Sequence, residues 1–567
     1  MSMDALPLPD PAMLPDDPAL LKQLVVQLLS ELQKAHARLE RQEHHMDLLL
    51  RRLYGSTSEK LDPQQGLLFD PQPDAGDPAQ TASAEVAAPV PSVSAANRHP
   101  HGRSRIPDEI KREELVHELT EAEMAAFGGA ENLVEIGAER SEQLDWRPSA
   151  LFVTVHVRKK YARKVPLLET GPEPGQQNVV AARKPPEAIP GGLAGPGLLA
   201  QVIVSKYGDH LPLYRLEGIF ERQGVKLSRQ TTDGWVLACA ELCAPLHRLM
   251  IEVALGSTAL HTDDTPVKVR DAWRKMKYTG RFWTYVGDAW HPLTVFDYTT
   301  SRKRDGPAEF LKSYRGYLQA DAFGGYDGIY TGSNGRIVEA GCWAHARRKF
   351  HECRRQDPPR METALAWIGK LYAVEKELRQ QRETLWRDLS WQEQAARVAT
   401  ERQQQSLPLL DAFRAWLDSE ATNILPKSAA RAAINYTLSN WAALCRYTES
   451  GWLDIDNNAA ENALRGIAIG RKNWLFCGSD RGGRAAAIFF SLLASCKRHG
   501  HDPFGYLRDV LTRLPALLPA DLASHSQPAA SAEMRLHSAS HSQEFTRHID
   551  RRRDDLLNLL PHRWQPA

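Results

Sequence analysis

Cysteine is scarce in this chain: there are seven in 567 residues, the first is Cys239, and no CxxC pair or regular spacing occurs. That excludes a disulfide framework and suits a reducing compartment, so a cytoplasmic protein is expected. No run of about 18 apolar residues is present, so no membrane-spanning helix and no membrane partner are expected. The opening MSMDALPLPDP has neither a basic stretch nor an apolar core, so no secretory leader is expected. Charge of one sign is missing too: 71 Lys and Arg stand against 70 Asp and Glu, a net charge of +1. A nucleic-acid partner must therefore be argued from local patches and not from overall charge.

What is present is globular in character. Hydrophobic residues make up 42% and charged residues 25%, and the length exceeds what one core organises. A multidomain α/β chain is expected. Residues 18–53 read as one long helix. Val25, Leu32, Leu39, Met46 and Leu53 recur every seven residues, and Leu21, Leu28, Ala35, Gln42 and Leu49 form a second, offset series. Two such series are the seam of a coiled coil, and the expected role is self-association into a homo-oligomer. Residues 63–105 are rich in Pro, Ala, Ser and Asp and read as a disordered linker.

Residues 106–185 return to mixed character, and LFVTVHVRKKYARK alternates in the manner of a strand. Over 190–250 a helix ends near Arg222, Gly224 supplies a turn, and Ser228 caps a second helix. This is a helix-turn-helix or an ordinary αα-hairpin, and the local sequence leans slightly to the hairpin. In the first case Ser228, Arg229 and Gln230 would sit where such helices meet base edges.

From 256 the period changes. ALHTDDTPVKV, RFWTYVGDAW, HPLTVFDYTT, GYLQADAF and RIVEAGCW read as five strands, with a short helix before the fourth. Three strands, a helix, a strand and further helices is the order of a ribonuclease-H-like core. It would span 256–512 with a helical insertion over about 355–450. Residues 519–546 are a low-complexity insertion, and 547–567 form a short apolar C-terminal tail.

Three acids stand at the ends of these elements: Asp263 beside Asp264 on the first strand, Asp321 ending GYLQAD, and Glu461 early in a helix that Asp456 or Asn457 could cap. Singly, such residues are more often solvated or turn-capping. Together, two strand-end carboxylates and one helix carboxylate suit hard divalent cations such as Mg²⁺. Basic residues lie near them: Arg347, Arg348 and Lys349, then Arg465, Arg471 and Lys472 with Trp474 and Phe476 interleaved. Arg465, four residues after Glu461, would stand beside it on one helix face. Such a surface suits a phosphodiester backbone. Cys342, His345, His351 and Cys353 follow no standard zinc spacing, so a packed thiol and a hydrogen-bonded imidazole are the reading taken there.

LLRRLYGSTSEKL, GLAGPGLLAQVIVSKYGDHLPLYRLEGIFERQGVKLSRQTTDGWV, LHTDDTPVKV, LQADAFGGYDGIY, EAGCWAHARRKF, IDNNAAENALRGIAIGRKNWLFCGS and LLPHRWQP are long and unusual stretches. In them the chain resembles the IS66 family of DDE-type transposases from bacterial insertion sequences. The resemblance implies a ribonuclease-H-like catalytic domain with Asp263, Asp321 and Glu461 as successive catalytic acids and ligands of two Mg²⁺ ions, with Mn²⁺ as a substitute. It assigns 190–240 to DNA binding, against the hairpin reading. It implies terminal inverted repeats and target DNA as partners, a place on the bacterial nucleoid when DNA is bound, and accessory proteins encoded by the same element.

Two departures stand out. The family usually has a cysteine-based zinc-finger-like segment before the helix-turn-helix, and here AAFGGAENLVEIG and KKYARKVPLLETG have no cysteine. The expectation is a degenerate segment at 106–185 with no zinc in the N-terminal region. The family usually has Arg directly after the third acid, and this chain has Asn462. Two other readings follow: a catalytically inactive DNA-binding remnant, and a coiled-coil scaffold without a DNA role.

Overall fold

The computed structural model describes residues 106–127, 129–147, 150–163, 179–271, 276–321, 325–518 and 551–566. The chain divides into two units, Met1–Arg105 and Ile106–Ala567, and the described residues belong to the second. The expected coiled coil at 18–53, the linker at 63–105 and the low-complexity stretch at 519–546 lie outside the described residues.

The second unit is mixed α/β, with two sheets. The first contains β1 (Arg112–His117), β2 (Leu133–Arg147), β3 (Ala150–Arg163) and β4 (Val179–Ala181). β2 and β3 form a long antiparallel hairpin, β1 runs parallel to β3, and β4 pairs with the far end of β3. Alternation in β3 turns Val153, Val155 and Val157 into the core. There they meet α1 (Pro196–Ile203), whose Leu198, Leu199 and Val202 are buried in the same cluster. Close approach fixes this contact. A side chain at Gly197 would place its Cβ 2.1 Å from the Trp146 carbonyl oxygen.

The helix pair expected over 190–250 is present. α2 (Leu213–Arg222) ends at the expected residue, Gly224 takes a φ of 85°, and α3 (Arg229–Ala254) starts behind Ser228. The left-handed backbone at Gly224 is one that glycine adopts without strain. The Ser228 hydroxyl accepts from the Thr231 amide at 3.1 Å, the standard N-cap bond.

The second sheet follows the expected order of elements. β5 (Ala259–Asp271), β6 (Met276–Val286) and β7 (Thr294–Thr299) are antiparallel neighbours. A short helix, α4 (Asp305–Phe310), leads into β8 (Gly316–Gln319), and α5 (Asp327–Gly332) leads into β9 (Ile337–Ala340). β8 runs parallel to β5 and β9 parallel to β8, giving the order β7-β6-β5-β8-β9. The chain then enters α6 (Trp343–Glu352) and the helices between Pro358 and Cys445. These pack a separate core of Met361, Ile368, Phe413 and Ile434 under Trp343 and Phe350. The chain returns as α7 (Asn458–Trp474), β10 (Phe476–Cys477), α8 (Asp480–Arg498) and α9 (Pro503–Leu517). β10 adds two parallel residues to β5 at Lys268 and Val269, a pairing too short for any sequence pattern to announce.

The C-terminal tail is part of this core. Leu556, Leu559 and Leu560 are fully buried, the Tyr506 hydroxyl donates to the Leu559 carbonyl at 2.8 Å, and the Trp564 indole donates to Asp509 at 2.7 Å.

β7 is the outer strand of its sheet, and α8 closes it. Ser491 and Ser495 lie one turn apart, and their hydroxyls accept from the Phe296 amide at 2.8 Å and the Thr294 amide at 3.0 Å. Both serines are fully buried, so each bond satisfies an edge amide that water cannot reach. The double replacement Ser491→Ala, Ser495→Ala strands those amides and is expected to cost about 2–4 kcal/mol, read as a lower denaturation midpoint. An unchanged midpoint would show that the helix, without its serines, seals the edge.

Candidate active site

β5 carries Asp263 and Asp264, and the two adjacent side chains have different fates. Pleating sends successive side chains to opposite faces of the sheet. Asp264 accepts from Arg281 at 2.7 Å and from Arg302 at 2.9 Å, with only 3% of its side chain exposed. It is an ion-paired structural carboxylate. Among the described residues Asp263 meets no cation; its Oδ1 accepts from the Asp264 amide at 2.7 Å. In the β5–β8 register His261 stands opposite Gln319. Two residues further along each chain are Asp263 and Asp321.

Glu461 arrives on the first turn of α7. Asn457, at its N-cap position, makes no capping bond with its side chain. Its fully buried amide reaches the sheet instead. The NH2 donates to the Thr262 carbonyl at 2.8 Å and the oxygen lies 3.2 Å from His261 Nδ1. Gln319, also fully buried, donates to the Gly341 carbonyl at 3.1 Å and to the Asp454 carbonyl. Two buried amides thus hold 454–457 against the strands that bear the acids. No local pattern announces either amide as a clamp. The signal for Asn457 was its place between a strand-period region and a helix, where it read only as a cap.

The carboxylates are close enough to feel one another. Burial pushes Asp263 up to about 7, and the negative charges of Asp321, Asp264 and Glu461 push in the same direction, against the Asp264 amide, which lowers it. A buried carboxylate crowded by carboxylates is a donor set that fits a divalent cation, because the ion removes both penalties together.

The basic residues divide into two groups. Arg347, Arg348 and Lys349 are exposed on α6, and Arg465 and Lys472 are exposed on α7. Arg348 approaches Glu461 at 3.5 Å, so the neighbour of Glu461 comes from α6 and not from Arg465 on its own helix. Arg471 is committed inward, donating to Thr265 Oγ1 at 2.8 Å and to the Pro266 carbonyl at 2.7 Å. It ties α7 to β5. Further away, Ser228 and Gln230 are exposed and Arg229 is half-buried at the start of α3.

The Cys342–Cys353 stretch does not gather its four residues. Cys353 donates to the Lys349 carbonyl and His351 faces solvent. Cys342 is the expected packed thiol, and burial pushes it up to about 11. His345 departs from expectation, since its buried Nδ1 has no hydrogen-bond partner among the described residues.

The raised Asp263 sets a pH dependence. An acid with a higher pKa folded than unfolded holds more protons when folded, so its burden on stability grows as pH rises from about 4 to about 7. In a chelator, Asp263→Asn is expected to raise the melting temperature at pH 8 and to change it little at pH 4. Saturating Mg²⁺ should erase most of the gain. Equal shifts at both pH values would contradict the assignment.

Comparison with known proteins bears on the chain from residue 41 to residue 523. Family models match in four places: Transposase IS66 family over 191–485, IS66 C-terminal element over 491–523, zinc-finger binding domain of transposase IS66 over 128–162, and Transposase C of IS166 homeodomain over 41–115. The chain is 31% identical over 460 residues to "Uncharacterized protein y4hP" of Sinorhizobium fredii (strain NBRC 101917 / NGR234), with 77% of each chain covered. It is 32% identical over 419 residues to "Uncharacterized protein y4qI" of the same organism, covering 72% of this chain and 74% of that one.

The match over 128–162 overturns the expectation of no zinc in the N-terminal region. Missing cysteines exclude thiolate ligands only, and imidazole and carboxylate bind zinc as well. This stretch carries His156, whose Nδ1 lies 2.9 Å from Nε2 of His117. With a family match over more than half its length and relatives aligned over three quarters of it, the chain belongs to the IS66 transposase family.

Proposed function

We propose that this chain is a DNA transposase that cuts and joins DNA at a metal-dependent site formed by Asp263, Asp321 and Glu461. The observation that carries the reading is a buried Asp263 with Asp321, Asp264 and Glu461 around it: burial first, and their negative charges second, raise it to about 7. The sheet order supports it: three antiparallel strands followed by parallel β8 and β9, with a helical insertion before α7, agree with a ribonuclease-H-like core. Two Mg²⁺ ions, with Mn²⁺ as a substitute, would supply activation of the attacking oxygen and stabilisation of the leaving one. The chain's part is to hold that constellation rigid through Asn457 and Gln319 and to keep Asp264 neutralised by Arg281 and Arg302.

The DNA partners are the element's terminal inverted repeats and target DNA. Arg347, Arg348 and Lys349 on α6, with Arg465 and Lys472 on α7, form the backbone-contacting surface around the acids. Such contacts position DNA without reading sequence. Arg471, held inward, acts on DNA only through the placement of α7. Sequence contacts fall to the start of α3, where Arg229 and Gln230 are nearer to the role than Ser228, whose hydroxyl is used in the cap. The heptad seam at 18–53 pairs protomers so that two ends meet in one complex. Accessory proteins of the same element complete it, in the bacterial cytoplasm and on the nucleoid.

The test is strand cleavage and joining in Mg²⁺ on DNA bearing the repeats that flank the gene, with Asp321→Asn beside the wild type. Metal-dependent products from the wild type that vanish in the variant are the expected result. Binding of the ends without products from either protein would instead mark a DNA-binding remnant. Replacing Arg347 and Lys472 by Ala should weaken binding to all sequences alike. It should also flatten the slope of log affinity against log salt by about 0.9 for each phosphate that is no longer neutralised, and an unchanged slope would remove these residues from the surface.

A further inference from the structure

We infer that Cys342, His345 and Glu461 form a binding site for a thiophilic divalent cation of the zinc class, and that a cation there withdraws Glu461 from the proposed catalytic set. The second half rests on the function proposed above; the first does not. The three residues each offer one ligand atom, and those atoms lie within 4.8 Å of one another, the one such cluster of three among the described residues. Cys342 precedes α6 and His345 follows three residues later on its first turn, while Glu461 faces them from the first turn of α7.

Two atoms at this place lack partners among the described residues. His345 Nδ1 and Glu461 Oε1 are both buried, neither has a hydrogen bond, and they face each other at 3.7 Å. Buried polar groups are rarely left unsatisfied, and at 3.7 Å the two atoms are too far apart to satisfy each other. An ion between them, drawn toward the Cys342 sulfur, would satisfy both. Sulfur, imidazole and one carboxylate suit zinc or cobalt and not Mg²⁺, and three protein ligands leave a fourth position for water. Arg348, 3.5 Å from the other oxygen of Glu461, is more than half exposed and free to swing aside. The four residues of the Cys342–Cys353 stretch fit no zinc spacing by themselves. The third ligand comes from more than a hundred residues away.

The test titrates metal-stripped full-length protein with Co²⁺. A thiolate-to-cobalt charge-transfer band with tetrahedral visible bands is expected at one equivalent. Cys342→Ser should abolish the charge-transfer band and Cys353→Ser, outside the cluster, should keep it. His345→Ala should weaken Co²⁺ binding by at least about ten-fold. Residues 128–162 contain no thiol, so a metal there cannot give that band. Absence of the band in the wild type, or its survival in Cys342→Ser, overturns the site. If Cys342→Ser does not fold, the wild-type spectrum and His345→Ala still decide. In Mg²⁺-dependent cleavage, Zn²⁺ should inhibit the wild type and spare His345→Ala; equal inhibition of both overturns the withdrawal of Glu461. A cobalt band without any Mg²⁺-dependent cleavage would leave the site standing and remove the catalytic reading instead.

Discussion

The constellation at the sheet depends on one buried amide. Asn457 has no solvent contact, donates to the backbone of β5 and meets His261, and so fixes where α7 begins. The chain reaches that point after a long helical excursion, so nothing local aims Glu461 at β5. A buried side-chain amide tolerates few placements, because each unmet hydrogen bond is costly in a medium without water. Gln319 adds a second constraint by tying Asp454 to β8, and Arg471 adds a third at the other end of α7.

Placing carboxylates together works against folding, and the neighbourhood shows how the cost is limited. Asp264 is neutralised by two arginines, so only its neighbour Asp263 keeps an uncompensated place in the crowded face. One step along a pleated strand separates a structural carboxylate from a candidate catalytic one. Glu461 is poised between Arg348 on one oxygen and the Cys342–His345 pair on the other. Its surroundings allow more than one cation chemistry.

Much of the second unit was legible because its elements follow local rules. The strands around 256–345 alternate or run apolar as strands do, and the turn at Gly224 with the cap at Ser228 marks α3 to the residue. The helices over 346–450 follow from composition. Other features escaped because they are pairings at a distance. β10 is two residues long and exists only because β5 offers it a partner. The tail read as a short apolar end, yet Leu556, Leu559 and Leu560 are core residues that need α9 to cover them. Helical spacing placed Arg465 beside Glu461, and a facing helix supplied Arg348 instead, since spacing along one helix says nothing of what packs across from it. The zinc exclusion failed for a related reason, because it counted one ligand type only.

The sequence by itself determined the order of strands and helices along the chain and the membership of the family, both carried by residues near one another in the chain. It placed Asp263 at a strand end, whereas β5 continues to Asp271 and holds Asp263 within its length. The tertiary structure alone decided which of Asp263 and Asp264 is ion-paired, that Asn457 and Gln319 clamp the site, that Arg471 points inward, and that Cys342 and His345 meet Glu461. Those are matters of which atoms share a desolvated space, and such proximity is set by packing between distant segments rather than by any local pattern.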